Sequence, residues 1–177
     1  MPHTYVDHRK ENEDGNAEIG DPLFITGHWP VTRSVTADCN HYNWAVDKDG
    51  EWHQMRPASG PGSLGSHTWH RNSRNIGVGV VGMDGSDIND VQIESTARGV
   101  AELMGIYAIP IENVHDHVFW AIQDNYGPGS GDPQTKVDFT GTVAGKRVWK
   151  AIMSKIPWYR QQLVSGKLAN LLAGKIK

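Results

Sequence analysis

The run Asn75-Ile76-Gly77-Val78-Gly79-Val80-Val81 constrains the fold of this chain more than any other stretch. It is the clearest strand in the sequence, and its internal glycines permit close backbone approach. Shorter strand signals surround it. Leu23 to Thr26 is an apolar run ending at Gly27-His28. Tyr42 to Val46 alternates and stops at Asp47-Lys48-Asp49-Gly50, where Asp-Gly followed by Trp52 reads as a hairpin turn into a second strand. Val114 to His117 reads as another short strand. Helical spacing lies between and after these runs. Asp90 is placed to cap a helix to about Tyr107, with Val100, Leu103, Met104 and Tyr107 on one face and Pro110 beyond its end. Val148, Trp149, Ile152, Met153 and Ile156 predict a helix over 143–156, stopped by Pro157, and Val164, Leu168, Leu171 and Leu172 mark a last amphipathic stretch. Residues 57–66 and 123–137 are Gly/Pro loops, and 1–21 reads as an irregular leader. Strands interleaved with helices predict an α/β fold: a mixed central β-sheet flanked by helices, with a C-terminal helical appendage. The expected division is a polar leader at 1–22, a main domain at 23–140 and a basic helical segment at 141–177.

Charge supports that last boundary. All 20 acidic residues of the 177 lie at or before Asp138. The first 138 residues carry nine basic against 20 acidic side chains, a net of −11; the remaining 39 carry eight basic and no acidic ones, a net of +8. Such asymmetry points to an anionic partner for the basic segment. The total of −3 argues against a dedicated nucleic-acid binder. At 38% hydrophobic residues the chain builds an ordinary core. No run approaches the roughly 18 apolar residues that span a membrane. The polar N-terminus lacks the apolar stretch of a signal peptide, so a cytoplasmic origin is expected. A lone Cys39 excludes an internal disulfide and any Cys-pair zinc motif. Nine histidines leave imidazole and carboxylate as the ligands for any metal.

Four features are candidates to meet in space. His28 follows the first strand, His115 and His117 end a later one, and Asp138 closes Lys136-Val137-Asp138. Strand ends are where α/β folds gather ligands. Two imidazoles and one carboxylate make a three-ligand zinc site with a position open to water. Zinc so held polarises a carbonyl oxygen, and Lys136 places a cation near the developing oxyanion. No HExxH helix is present, which excludes the common zinc-protease arrangement.

In order along the chain, these pieces resemble the type-2 N-acetylmuramoyl-L-alanine amidase family, which includes phage lysozyme-type amidases and is related to peptidoglycan recognition proteins. Ile25-Thr26-Gly27-His28-Trp29 resembles the first strand with its zinc ligand. His41 to Gly50 resembles the family hairpin, whose active-site Tyr falls on Tyr42. Gly65-Ser66-His67, Asn72 and the run 75–82 resemble the groove loop and following strand, and Gln92 falls where the family's long helix starts. Val114 to Ala121 resembles the segment with the second ligand, and Lys136-Val137-Asp138 the catalytic Lys and third ligand. The resemblance spans about residues 23–139, making 23–140 the catalytic domain.

What it implies is specific. Zn2+ is held by His28, His117 and Asp138, with His115 and Asp132 competing for two of those places. The spacing to Ala121 favours His117, and the Lys two residues earlier favours Asp138. Tyr42 and Lys136 are catalytic. His67, Trp69 and Asn72 contact substrate, Trp69 by stacking on a sugar; His70 has the same prospect as Asn72. His41 and His53 are surface residues. Trp29, Trp44, Trp52 and Trp120 form core or groove walls. The family often has Glu where this chain has Gly79, so base work falls to water at the metal with help from Tyr42. The implied activity is hydrolysis of the amide between N-acetylmuramic acid and L-alanine, in a monomeric endolysin that waits in the host cytoplasm and acts on the cell wall. The alternatives are a non-catalytic peptidoglycan-binding module and a zinc stem-peptide endopeptidase. The basic segment either packs on the domain or docks on an anionic membrane or outer-membrane surface.

Overall fold

Strand β2 (Phe24–His28) lies between β5 (Asn75–Val80) and β6 (Val114–Asp116) and runs parallel to both. β3 (Trp44–Val46) pairs parallel with the other side of β5, and β4 (Trp52–Gln54) returns antiparallel beside β3. β1 (Tyr5–Asp7) adds a parallel edge strand to β4, so part of the stretch expected to be irregular joins the sheet. The order is β1-β4-β3-β5-β2-β6, a mixed sheet in an α/β fold. The computed structural model describes residues 5–7, 17–35, 39–68, 71–125, 138–170 and 172.

The two faces of the sheet have different uses. Register places Ile25 beside Ile76 and Gly27 beside Val78 on one face, and Thr26 beside Gly77 and His28 beside Gly79 on the other. The first face carries the main core. Ile25, Ile76, Val78 and Val80 pack there with residues of α1 (Asp90–Ile106) and α3 (Val143–Val164). The second face has a smaller apolar cluster of Cys39, Ala45, Met55 and Val81, joined by Tyr42. Trp44 and Trp52 are fully buried and meet edge to face at 5.7 Å. Trp52 Nε1 donates to the Ser95 carbonyl, fastening the hairpin to α1.

Helix α1 begins one residue earlier than expected. Asn89 is the N-cap: its side chain accepts from Gln92 N, and the Gln92 side chain accepts from Asn89 N. This reciprocal box satisfies two otherwise orphaned donors, so Asp90 becomes the first helical residue. Gln92 Nε2 also donates to the Val81 carbonyl, tying the helix start to the end of β5.

Helix α3 departs further from expectation, because Pro157 lies inside it. Proline removes one intrahelical bond and usually ends or kinks a helix. Here tertiary contacts hold both sides. Ile152 and Ile156 are fully buried before it, while after it Tyr159 donates to Glu94 and Arg160 to the Ala101 carbonyl of α1. The helix then ends at Val164 with Ser165 as its C-cap. The last amphipathic stretch forms no further helix among the described residues: Val164 ends α3, 165–168 turn, and fully buried Leu172 donates its N–H to Glu102. No described helix is long and apolar enough to cross a membrane.

Gly27 is where α3 seats on the sheet. A Cβ there falls 2.4 Å from Trp149 Cζ3, and Trp149 stacks on buried Phe139 at 5.2 Å. Gly27→Ala is therefore expected to destabilise the fold by about 1–3 kcal/mol through overpacking, read as a lower denaturation midpoint; unchanged stability would contradict this seating.

Candidate metal centre

His28 is the last residue of β2, facing the side of the sheet opposite α3. His117 arrives by a different route. β6 ends at Asp116, whose side chain accepts from Phe119 N at 3.1 Å and caps α2 (His117–Gln123). His115 and His117 thus do not share a strand face. His115 stays in β6, stacked on Phe119 at 3.7 Å between ring centroids, while His117 is the first residue of the helix. Asp138 precedes a single 3-10 turn, Phe139–Gly141.

One buried carboxylate joins these pieces. Asp116 Oδ2 accepts from Thr140 N at 2.8 Å and from Thr140 Oγ1 at 2.6 Å, while Oδ1 caps α2. The segment carrying Asp138 is thereby tied to the junction that presents His117. Asp116 is a functional residue that the sequence motifs leave without a role. The available signal was an Asp directly before a helix-like turn, the ordinary position of an N-cap.

The result is a compact donor cluster. His117 Nδ1 lies 2.9 Å from Asp138 Oδ2, and His28 Nδ1 lies 3.9 Å from the same oxygen. The two imidazoles meet edge to face at 4.7 Å. One ligand atom from each of the three residues lies within 4.8 Å of the others. Asp138 Oδ1 accepts from Trp29 N at 3.3 Å, which helps aim the carboxylate. Two imidazole nitrogens and one carboxylate oxygen match the donor chemistry of zinc, whose usual four-coordination would leave one place for water or substrate.

Tyr42 and His67 lie on the floor around His28. The Tyr42 ring is 4.9 Å from the His28 ring, and the edge of His67 meets His28 at 5.1 Å. Glycines make the space. A Cβ on Gly79 falls 2.9 Å from Tyr42 Cδ2, and one on Gly77 falls 2.7 Å from His67 Cγ. Burial, and less strongly the negative charge of Asp138, pushes the Tyr42 phenol above its ordinary range, so it stays protonated at neutral pH. Burial pushes His67 down to about 3, although its hydrogen bond to Asn75 opposes the shift.

Asn72 organises the adjoining turn: its Oδ1 accepts from His67 N and Thr68 N at 3.0 and 2.7 Å. Arg71 pairs with both oxygens of Asp124 at 2.6 and 2.8 Å and lies 5.0 Å over Trp120, joining this turn to α2. Trp69, His70, Asp132 and Lys136 lie outside the described residues. His41 is exposed as expected, but His53 is buried and pairs with Asp47 at 2.8 Å. Asp47, Glu51 and His53 form a second cluster of ligand-type groups. There Asp47 Oδ1 also accepts from Asp49 N and Glu51 N, which fastens the β3–β4 turn.

Residues 4–134 match the sequence profile of the family described as N-acetylmuramoyl-L-alanine amidase, Amidase_2. The chain belongs to that family. No curated protein matches. Among solved structures, PlyL superposes with a TM-score of 0.62 at 21% identity, over 88% of this chain and 97% of that one. The PlyG catalytic domain gives 0.61 at 20%, over 88% and 94%. The N-acetylmuramoyl-L-alanine amidase LysC from Clostridium intestinale URNW gives 0.57 at 20%, over 66% and 84%. These proteins share the fold.

Asp116 gives a direct test of how the cluster is assembled. Asp116→Ala removes a helix cap and leaves Thr140 N without its partner, so a loss of about 2–3 kcal/mol is expected. Chemical denaturation measures it, and a change below about 0.5 kcal/mol, the usual range of surface substitutions, would refute the bridging role.

Proposed function

We propose that this chain is a zinc-dependent peptidoglycan amidase that cleaves the amide between N-acetylmuramic acid and the L-alanine of the stem peptide. The observation that carries the reading is the convergence of His28, His117 and Asp138 in a chain of the amidase family. These three residues would hold the metal. Zinc bound there supplies Lewis acidity toward a carbonyl oxygen and lowers the pKa of water.

The remaining work belongs to the chain. Asp138 is held by Trp29 N, so the carboxylate stays aimed at both imidazoles. Tyr42, protonated and beside His28, is placed to orient water or to pass a proton to the leaving amine. Gly79 leaves no carboxylate on that part of the floor. Lys136, two residues before Asp138, opposes the negative charge that develops on the carbonyl oxygen. Trp69 and Asn72 contact the glycan-peptide, Trp69 by stacking on a sugar ring.

The biological setting that fits is an endolysin, made by a phage in the host cytoplasm and acting on the wall. The exposed side of α3, with Lys146, Arg147, Lys150 and Trp158, is suited to an anionic membrane or outer-membrane surface. A non-catalytic binding module would need no such cluster of donors.

Purified cell wall is the test substrate. Digestion is expected to release new alanine amino termini without new reducing ends, and to stop with a chelator and resume with added zinc. His28→Ala and Lys136→Ala are each expected to cost about 10²-fold or more in rate with the circular dichroism spectrum retained. New reducing ends, or cleavage within the stem peptide, would overturn the assignment.

A further inference from the structure

Helix α3 has two sides of opposite chemistry. Its buried residues, Gly145, Val148, Trp149, Ile152 and Ile156, seat it on the rest of the fold. On the other side Lys146, Arg147 and Lys150 are exposed, and Val143, Trp158 and Val164 are exposed by 80, 54 and 77%. At about 3.6 residues per turn these six side chains span about a third of the helix circumference, opposite the buried set. No acidic residue occurs in the chain after Asp138. Among the described residues none of these three cations makes a salt bridge, whereas Lys155, closer to α1, pairs with Glu94.

Cations interleaved with exposed apolar side chains discriminate between occupants. A dissolved polyanion is matched by charge alone and leaves Val143, Trp158 and Val164 in water. The headgroup layer of an anionic bilayer takes both kinds of group: phosphates meet the cations, and tryptophan sits at the boundary of headgroups and acyl chains. The face is also formed in advance. Lys155 and Tyr159 donate to Glu94, and Arg160 donates to the Ala101 carbonyl, so α3 is fixed on α1 before any lipid is met. Docking therefore has little backbone to order.

The sheet lies between this face and the donor cluster. Trp149, on the buried side of α3, reaches Gly27, while Thr26 and His28 face the other way. Helix α2 is on that far side, since Trp120 Nε1 donates to Thr26 Oγ1 at 2.8 Å. We propose that the exposed face of α3 docks on an anionic phospholipid bilayer and holds the chain with its donor cluster directed away from the lipid. A chain held in this way presents its site to polymer outside the membrane. That purpose rests on the proposed cleavage of the wall, whereas the docking does not.

Vesicle flotation of the full chain tests the docking. Binding is expected to vesicles of phosphatidylcholine mixed with phosphatidylglycerol, with release as salt rises, and far more weakly to phosphatidylcholine alone. Each Lys or Arg at an anionic surface contributes about fivefold, so Lys146→Gln, Arg147→Gln and Lys150→Gln together are expected to weaken binding about 100-fold. Spin labels test the orientation. On bound chains a label at Val143→Cys is expected to enter lipid, while one at Ile122→Cys, exposed by 63% on α2, stays open to a water-soluble relaxation agent. Equal binding to both kinds of vesicle, full binding by the triple variant, or entry of the Ile122→Cys label into lipid overturns the proposal. So does retention on lipopolysaccharide or anionic wall polymer without binding to vesicles. Vesicle binding as expected, in a chain that releases no alanine amino termini from cell wall, would sink the proposed function while supporting this docking.

Discussion

Because β2 runs parallel to both β5 and β6, His28 and the residues following β6 emerge at the same edge of the sheet. His117 and Asp138 reach His28 through that register, since Asp116 at the end of β6 holds Thr140. A one-residue slip of β2 would turn His28 toward Trp149 and Gly27 toward the donor cluster, since alternate strand residues face opposite sides. Gly27 opposes such a slip, because only a residue without a side chain fits under Trp149. The packing of α3 on one face therefore helps fix the position of the imidazole on the other. The basic C-terminal part of the chain contributes this helix, which makes Val143–Val164 part of the architecture around the site.

Much of this was legible in the sequence where a local rule decides the outcome. The Asp-Gly hairpin, the glycine-bearing strand β5 and the apolar stripe of α1 follow from turn chemistry and periodicity, and the structure has all three. The readings that changed are ones in which distant residues override the local signal. Pro157 does not stop α3, since Tyr159 and Arg160 are held by α1 beyond it. His53 is not a surface residue, since Asp47 receives it across the hairpin. The choice between His115 and His117 was open on strand periodicity, because two residues apart on a strand share a face. The N-cap at Asp116 separates them by starting a helix between them.

The floor of the site shows how small residues can be determinants. Gly77 and Gly79 occupy the face of β5 below the donor cluster, and the rings of His67 and Tyr42 lie where side chains would otherwise stand. A protonated phenol therefore takes a place close to the imidazoles that a larger β5 residue would fill. Periodicity marks these glycines as strand residues that permit close approach. What approached them depends on Asn72, which holds the backbone of His67 and Thr68, and on the segment before Trp44, where Asn43 Nδ2 donates to the Ser63 carbonyl.

If His28, His117 and Asp138 together hold one zinc ion as proposed, zinc taken up by the full chain lies among them. Crystals of the full chain grown with zinc, measured on both sides of the zinc absorption edge, test it most directly. An anomalous peak is expected at about 2.0–2.2 Å from one atom of each of these residues. Absence of a peak there, or a peak only between Asp47, Glu51 and His53, would contradict it.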